Sequence, residues 1–285
     1  MRLSPTFALL LLFPQTGTQP SSRPPQKKQE QENVSAFLAR LEETLVRKNA
    51  AKTLKSFVAK TRVTIRDPKA NIDIQAEISF RSPSRLRTLI REGKKTILRV
   101  YDRGRAWMRT NQGSYYLQGK EYARDRRDLR RDLSLATLIL RFLKPGEELG
   151  KLKNLLPPKI VDLRFGRKAQ FKALLLQGIA PAKLRYPLAL RPKYRGPVLV
   201  RAFFEKTSLK PLQIELGPLE PKTGKLMGPL ERYRFHSHAL KDGLVIPTEL
   251  SLLSPDPKGK YRVVQKVQIL EFTLNPDLPK NLFKK

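Results

Sequence analysis

His236-Ser237-His238 sets the only two histidines of the chain two residues apart. On a strand that spacing puts both imidazoles on one face, where they could begin a metal site with Asp242 or Glu249 as a third ligand. With two histidines and no cysteine in the sequence, no further nitrogen or thiolate can complete the set, so ordinary strand residues and no metal are expected. The carboxylate pairs Glu42-Glu43 and Glu147-Glu148 are adjacent, a spacing that does not bring two carboxylates onto one substrate, so acid–base catalysis has no anchor. There is no Gly-x-Ser-x-Gly, no Walker loop and no Gly-x-Gly-x-x-Gly. The missing cysteine also excludes disulfides, a thiolate nucleophile and the lipid-modified cysteine of a bacterial lipoprotein. Neither an enzyme nor a cofactor is expected; the remaining chemistry is binding.

Charge defines one kind of binding. The formal net charge is +33, which attracts nucleic acid, anionic lipid headgroups or acidic glycans. The densest cluster is Arg124, Arg126, Arg127, Arg130 and Arg131, close to Lys120; a second comprises Arg185, Arg191, Lys193 and Arg195 around Tyr194. Near an anionic membrane each such side chain adds about 1 kcal/mol, so the first cluster is expected to contact an anionic surface. Nucleic acid is the less favoured partner, because no recognition motif is present and aromatics are not interleaved with the basic runs. The blander reading is a solvated face with no specific partner.

These residues need elements to hold them. Arg2 followed by the apolar run 7–13 reads as a short secretory signal over 1–19, and the polar, proline-containing stretch 20–32 as a tether. This predicts an exported, periplasmic protein. From Asn33, Val34, Phe37, Leu38, Leu41 and Leu45 recur at helical spacing, with Asn33 as N-cap. The period then changes to two: Ile72, Ile74, Ala76, Ile78 and Phe80 alternate with polar residues, the pattern of a half-buried antiparallel strand. Further strands are predicted over 57–66, 85–91, 96–101, 105–109 and 114–118, separated by turn signals such as Arg103-Gly104 and Gln112-Gly113. A second helix is predicted over 125–143, apolar on more than one side and stopped by Pro145-Gly146. Over 144–197 seven prolines limit regular structure, and this stretch reads as a proline-rich insertion. Strands resume over 198–206, 211–216, 231–238, 244–253 and 261–274. The architecture is α+β, one curved antiparallel sheet with helices against it, and 33–285 is expected to be a single domain.

Four stretches resemble the LolA/LolB-like lipoprotein-carrier family of bacterial envelopes. Residues 78–87 (Ile-Ser-Phe-Arg-Ser-Pro-Ser-Arg-Leu-Arg) are similar to its strand that ends in an aromatic, a basic residue and a proline. Residues 100–107 resemble its Asp-Gly hairpin followed by a tryptophan strand, here interrupted by Arg103. Residues 274–283 resemble its closing turn, and Gly243-Leu244-Val245-Ile246-Pro247-Thr248 a strand entry. The resemblance implies a half-open barrel, closed by helices on its concave face, around an apolar cavity that shields acyl chains. In the family an arginine directly precedes the strand-ending proline and is tied to closing a lid. Here Ser82 holds that position, and Arg81 points to the opposite face by strand alternation.

On this reading the cavity residues are Ile74, Ile78, Phe80, Leu86, Trp107, Leu133, Ile139 and Leu140. The partner is an acylated lipoprotein or lipid, bound by a monomer. The alternative is a basic binding protein for an acidic envelope polymer or nucleic acid, with the sheet as scaffold only. Burial of a sixteen-carbon chain gains roughly 12 kcal/mol gross, and several chains would pass the ceiling of about 20 kcal/mol. A carrier must offset part of this, and the second helix is the expected lid.

Overall fold

The computed structural model describes residues 33–285 except 47–53, 67–70, 93–94, 166–168, 185, 187, 192, 257 and 280. The expected signal over 1–19, the tether over 20–32 and Arg185 lie outside the described residues.

Helix α1 (Val34–Leu45) starts where the sequence predicts, with the Asn33 side chain accepting from the Ser35 amide at 2.9 Å. It turns Phe37, Leu41 and Leu45 into the core. Six strands follow as a meander: β1 (Ser56–Arg66), β2 (Asn71–Arg81), β3 (Arg85–Glu92), β4 (Lys95–Asp102), β5 (Arg105–Thr110) and β6 (Gly113–Tyr116). Helices α2 (Ala123–Phe142) and α3 (Pro145–Leu149) come next. A second meander then runs β7 (Lys153–Phe165), β8 (Ala169–Ala180), β9 (Val198–Glu205), β10 (Pro211–Pro218), β11 (Glu231–Lys241), β12 (Leu244–Pro255) and β13 (Tyr261–Leu274).

The two meanders become one sheet because the first strand pairs with the last: Phe57 faces Leu274 and Val63 faces Val267 across β1 and β13. The order is β6-β5-β4-β3-β2-β1-β13-β12-β11-β10-β9-β8-β7, antiparallel throughout and open at β6 and β7. Thirteen strands about 4.8 Å apart would span more than 50 Å if flat, yet one core joins Met108 of β5 to Leu174 of β8 through the helices. The sheet is therefore curved, with its inner face turned to α1, α2 and α3. Since β6 and β7 are consecutive in the chain but lie at opposite edges, the connection through α2 and α3 crosses the inner face. At about 1.5 Å per residue, α2 supplies some 30 Å of that path.

The stretch 144–197 corrects the expectation of an irregular insertion. It contains α3 and the strands β7 and β8, which extend the sheet. Pro157 and Pro158 are tolerated because β7 is an edge strand with a ladder on its β8 side only, and that ladder is already irregular at this point. The register skips around Leu156 there. Gly146 lets α3 close on α1, since a Cβ would lie 2.8 Å from both the Leu38 carbonyl and the Glu42 carboxylate.

Two smaller clusters occupy the outer face. Leu163, Ala173, Leu175, Phe203 and Leu212 form one. Val100, Trp107, Leu278 and Phe283 form the other, beneath the C-terminal tail.

Candidate functional site

Helix α2 lies over β1, β2, β3 and β13 but does not fill the space beneath it. An apolar cavity of about 70 Å³ remains, roughly half of the ~150 Å³ that holds a benzene. Its floor is the inward alternation of the strands: Val63 and Ile65 from β1, Ile74, Ala76 and Ile78 from β2, Ile90 from β3, and Val267 and Ile269 from β13. Its roof is Leu135, Ala136 and Ile139 of α2.

One end of the cavity is polar. Arg99 reaches from β4 to Asp125 in the first turn of α2, Nη2 to Oδ1 3.1 Å, and Arg131 pairs with Asp128 at 3.3 Å. Burial pushes the Asp132 carboxyl above the usual carboxylate range, against the pull of Arg131 and Arg99; the Gln265 side chain hydrogen-bonds it. Several groups at this end are left over. Thr88 Oγ1 and Gln265 Oε1 have no hydrogen-bond partner among the described residues, nor do the Nε atoms of Arg99 and Arg131. Thr88 and Gln265 are each 3% exposed, so these oxygens are desolvated without compensation. The contact between α2 and the sheet is thus incompletely packed and incompletely paired.

Of the residues expected to form the cavity, Ile74, Ile78 and Ile139 line it. Phe80 and Leu86 are fully buried in the main core on the same inner face, with the Phe80 ring centroid 5.5 Å from that of Phe57. Leu133 is half-buried against that core. Leu140 is buried and faces a separate groove with Arg141 and Leu184. Trp107 is a correction: it packs on the outer face with Val100, Leu278 and Phe283. Its neighbour Met108 takes the inward position. Both residues of Trp107-Met108 are buried, so strand alternation alone does not say which points inward. The sequence reading missed Val63, Ile65, Ala76, Ile90, Leu135, Ala136, Val267 and Ile269, and the entire polar end. Ala76 lay in the quoted alternation with Ile74 and Ile78, and that parity was signal enough.

Among the basic residues Arg124 is exposed, while Arg126, Arg127 and Arg130 line pockets on the outer flank of α2. Arg131 turns beneath the helix into the cavity. Arg81 points away from the cavity, as alternation requires. Its Nη2 donates to the Leu278 carbonyl at 2.9 Å and its guanidinium lies over Phe283.

The histidines do not share a face. Bulges between Phe235 and Ser237 and between Ser237 and His238 break the alternation of β11. His236 meets Ser251 Oγ at 2.9 Å and lies near Phe165 of the outer cluster. His238 lies beside Phe235 of the inner core, and burial lowers its pKa to about 4, helped by Lys210. Among the described residues no group of three or more His, Cys, Asp or Glu is placed to hold a metal. Glu147 and Glu148 are tied up with Lys151, and Glu148 is also held by Arg141 at 3.0 Å.

No protein-family model matches the chain, and no curated protein matches it. The chain is similar to solved structures at low identity. A LolA superfamily protein from Nitrosomonas europaea aligns over 88% of this chain and 97% of its own, with 15% identity and a TM-score of 0.46. A DUF1329 family protein from Desulfovibrio piger aligns over 88% and 95%, with 12% identity and a TM-score of 0.46. A domain assigned to outer membrane lipoprotein sorting from Vibrio parahaemolyticus aligns over 88% and 97%, with 12% identity and a TM-score of 0.44. Among the described residues no helix is long and apolar enough to cross a membrane.

Proposed function

We propose that this protein is an exported, non-enzymatic carrier that takes up the acyl chains of a lipid or lipoprotein between α2 and the inner face of the sheet. The observation that carries this reading is the apolar cavity under α2, floored by Ile74, Ile78, Ile90, Val267 and Ile269. At about 70 Å³ it is too small for an acyl chain, so uptake requires α2 to lift. The unpaired Thr88 and Gln265 oxygens and the unfilled space lower the cost of that separation, because fewer contacts are lost than in a close-packed core. The floor then becomes the hydrocarbon-binding surface and α2 the lid, which offsets part of the roughly 12 kcal/mol available from one long chain. Cargo release follows when α2 re-docks.

The test is native mass spectrometry of the protein purified from its own envelope, followed by lipid extraction. A stoichiometric acylated ligand that survives high salt is expected, and Ala136→Phe, which fills the cavity from the α2 side, should abolish it. A protein free of lipid that instead releases a polyanion in salt would overturn the carrier reading in favour of a basic polymer-binding protein.

A further inference from the structure

The same turns of α2 that roof the cavity with Asp128, Arg131 and Asp132 present Arg126, Arg127 and Arg130 on the opposite side. Two pockets meet along that flank, because both contain Arg126 and Arg130. One, of about 660 Å³, is completed by Arg105, Tyr101 and Tyr116. The other, of about 390 Å³, is completed by Arg127, Arg191, Lys193 and Tyr194. Neither lining includes a carboxylate; Glu121 lies against Gly119 at the rim of the larger one. Arg105, Arg127, Arg130, Arg191 and Lys193 have no ion pair among the described residues, an unusual concentration of positive charge within two concavities.

With α2 docked, both walls of the pockets are held in place. Arg126 is fixed by Nη1 bonds to the carbonyls of Leu117 at 2.9 Å and Gly119 at 2.6 Å. The segment carrying Arg191 and Lys193 is pinned at both ends. Before it, the Ala189 and Leu190 amides donate to the buried Glu231 carboxylate at 2.8 and 2.9 Å. After it, the Tyr194 hydroxyl lies between the Pro197 and Leu219 carbonyls, which share its one proton. Glu231 lies close enough for the Arg191 charge to favour its carboxylate, but its oxygens accept from those amides and from the Tyr233 hydroxyl at 2.8 Å, and no hydrogen bond joins the two side chains. Arg191 Nη1 is buried without a hydrogen-bond partner among the described residues. A buried guanidinium donor left open in a pocket of cations points to an anionic acceptor from outside the chain.

Resting on the carrier reading above, we infer that the cargo is a phosphate-bearing lipid. Its phosphate is held by Arg126, Arg130 and Arg191 on the outer flank of α2, while its chains pass beneath the helix. A tetrahedral phosphate can accept from several guanidinium forks at once, which a single carboxylate cannot match. Placement on the back of the lid favours a lipid over a polymer, since head site and chain site are then separated by one helix diameter.

The experiment compares dihexanoyl phosphatidic acid with dihexanoylglycerol, which share their chains and differ by the phosphate. Binding is measured by calorimetry on the full protein at about 150 mM salt, where the Debye length is about 8 Å and diffuse attraction is screened. The phosphatidic acid should bind about tenfold or more tightly. Arg130→Glu with Arg191→Glu should weaken phosphatidic acid binding until the two ligands agree within about twofold. Lys159→Glu with Arg164→Glu, on the distant β7 edge, should keep the preference. Equal binding of both lipids by the unaltered protein overturns the phosphate site and leaves the carrier intact. Loss of preference in the β7 variant as well overturns it in favour of a diffuse field. Glycerol 3-phosphate binding as tightly as the lipid, with no dihexanoylglycerol binding, overturns both readings. A single-stranded oligonucleotide binding more tightly than either lipid overturns the lipid assignment.

Discussion

Arg99 on β4 and Asp125 in the first turn of α2 are joined at 3.1 Å, across the polar end of the cavity. The two side chains are 17% and 26% exposed, and Asp125 also sits where a carboxylate complements the helix N-terminus. This pair therefore fastens the charged end of α2; Leu135, Ala136 and Ile139 pack its apolar stretch on the sheet, and Arg141 ties its last turn to Glu148 and the Leu184 carbonyl. In a carrier whose lid is α2, the Arg99–Asp125 pair is a fastening that uptake must break.

Asp125→Asn keeps the shape and removes the charge. A partly buried pair of this kind contributes on the order of 1 kcal/mol, about a fivefold change in an opening equilibrium. Amide exchange of α2 residues should accelerate by about that factor, and uptake of a fluorescent fatty acid should accelerate with it. Exchange in β1 and β13, which pair with each other in the middle of the sheet, should stay as it was. Unchanged α2 exchange would show that the helix is held by packing and that this pair is incidental.

Thr88 tests the incomplete pairing beneath the lid. Its hydroxyl is buried with no partner among the described residues, so Thr88→Val removes a desolvated group at nearly constant volume. Stability should rise by about 1 kcal/mol, read as a higher urea midpoint at unchanged m-value. The same change makes the floor more apolar, and chain binding should tighten or stay level. A loss of stability would mean that the hydroxyl is satisfied.

The helices, the alternation of β2 and most strand boundaries were legible in the sequence because each obeys a single period. Val34 to Leu45 repeat at helical spacing, and Ile74, Ala76 and Ile78 share one parity. What failed did so for definite reasons. Pro157-Pro158 reads as a break, yet is admissible at an edge, and whether a strand is an edge is a property of the whole sheet. Trp107-Met108 presents two buried neighbours, so parity does not say which side chain points inward. The two bulges of β11 carry no glycine or proline to announce them, so His236 and His238 were placed on one face. The polar end of the cavity joins β3, β4, β13 and α2, residues 88 to 265, and no local pattern links them.

His238 gives stability a pH dependence whose sign is fixed by burial. Its pKa falls to about 4, from burial first and then from Lys210, with the Pro211 carbonyl and Glu205 acting the other way. In the unfolded chain the ring titrates near 6.5. Between these values the unfolded state holds more protons, so stability is full above about pH 6.5 and is lost as pH falls toward 4. The loss is at most about 3 kcal/mol, and solvent reaching the ring lowers it. His238→Gln should flatten this part of the urea-unfolding profile and leave the acid transition of the carboxylates in place. A profile as steep as that of the unaltered protein would assign the dependence to other groups.

Trp107 is the sole tryptophan, and its position makes it a reporter of the outer face. It is 3% exposed, covered by Leu278 and Phe283 of the C-terminal tail. Arg81 holds that tail down from the neighbouring surface through the Leu278 carbonyl. Removing residues 276–285 should therefore shift its emission to the red and cost several kcal/mol, since two large apolar side chains are lost from a closed cluster. Filling the cavity with a fatty acid should leave the emission in place, because the ring lies on the other side of the sheet from α2. A blue or red shift on ligand uptake by the full-length protein would put the chain on the outer face, against Trp107, and would relocate the binding surface.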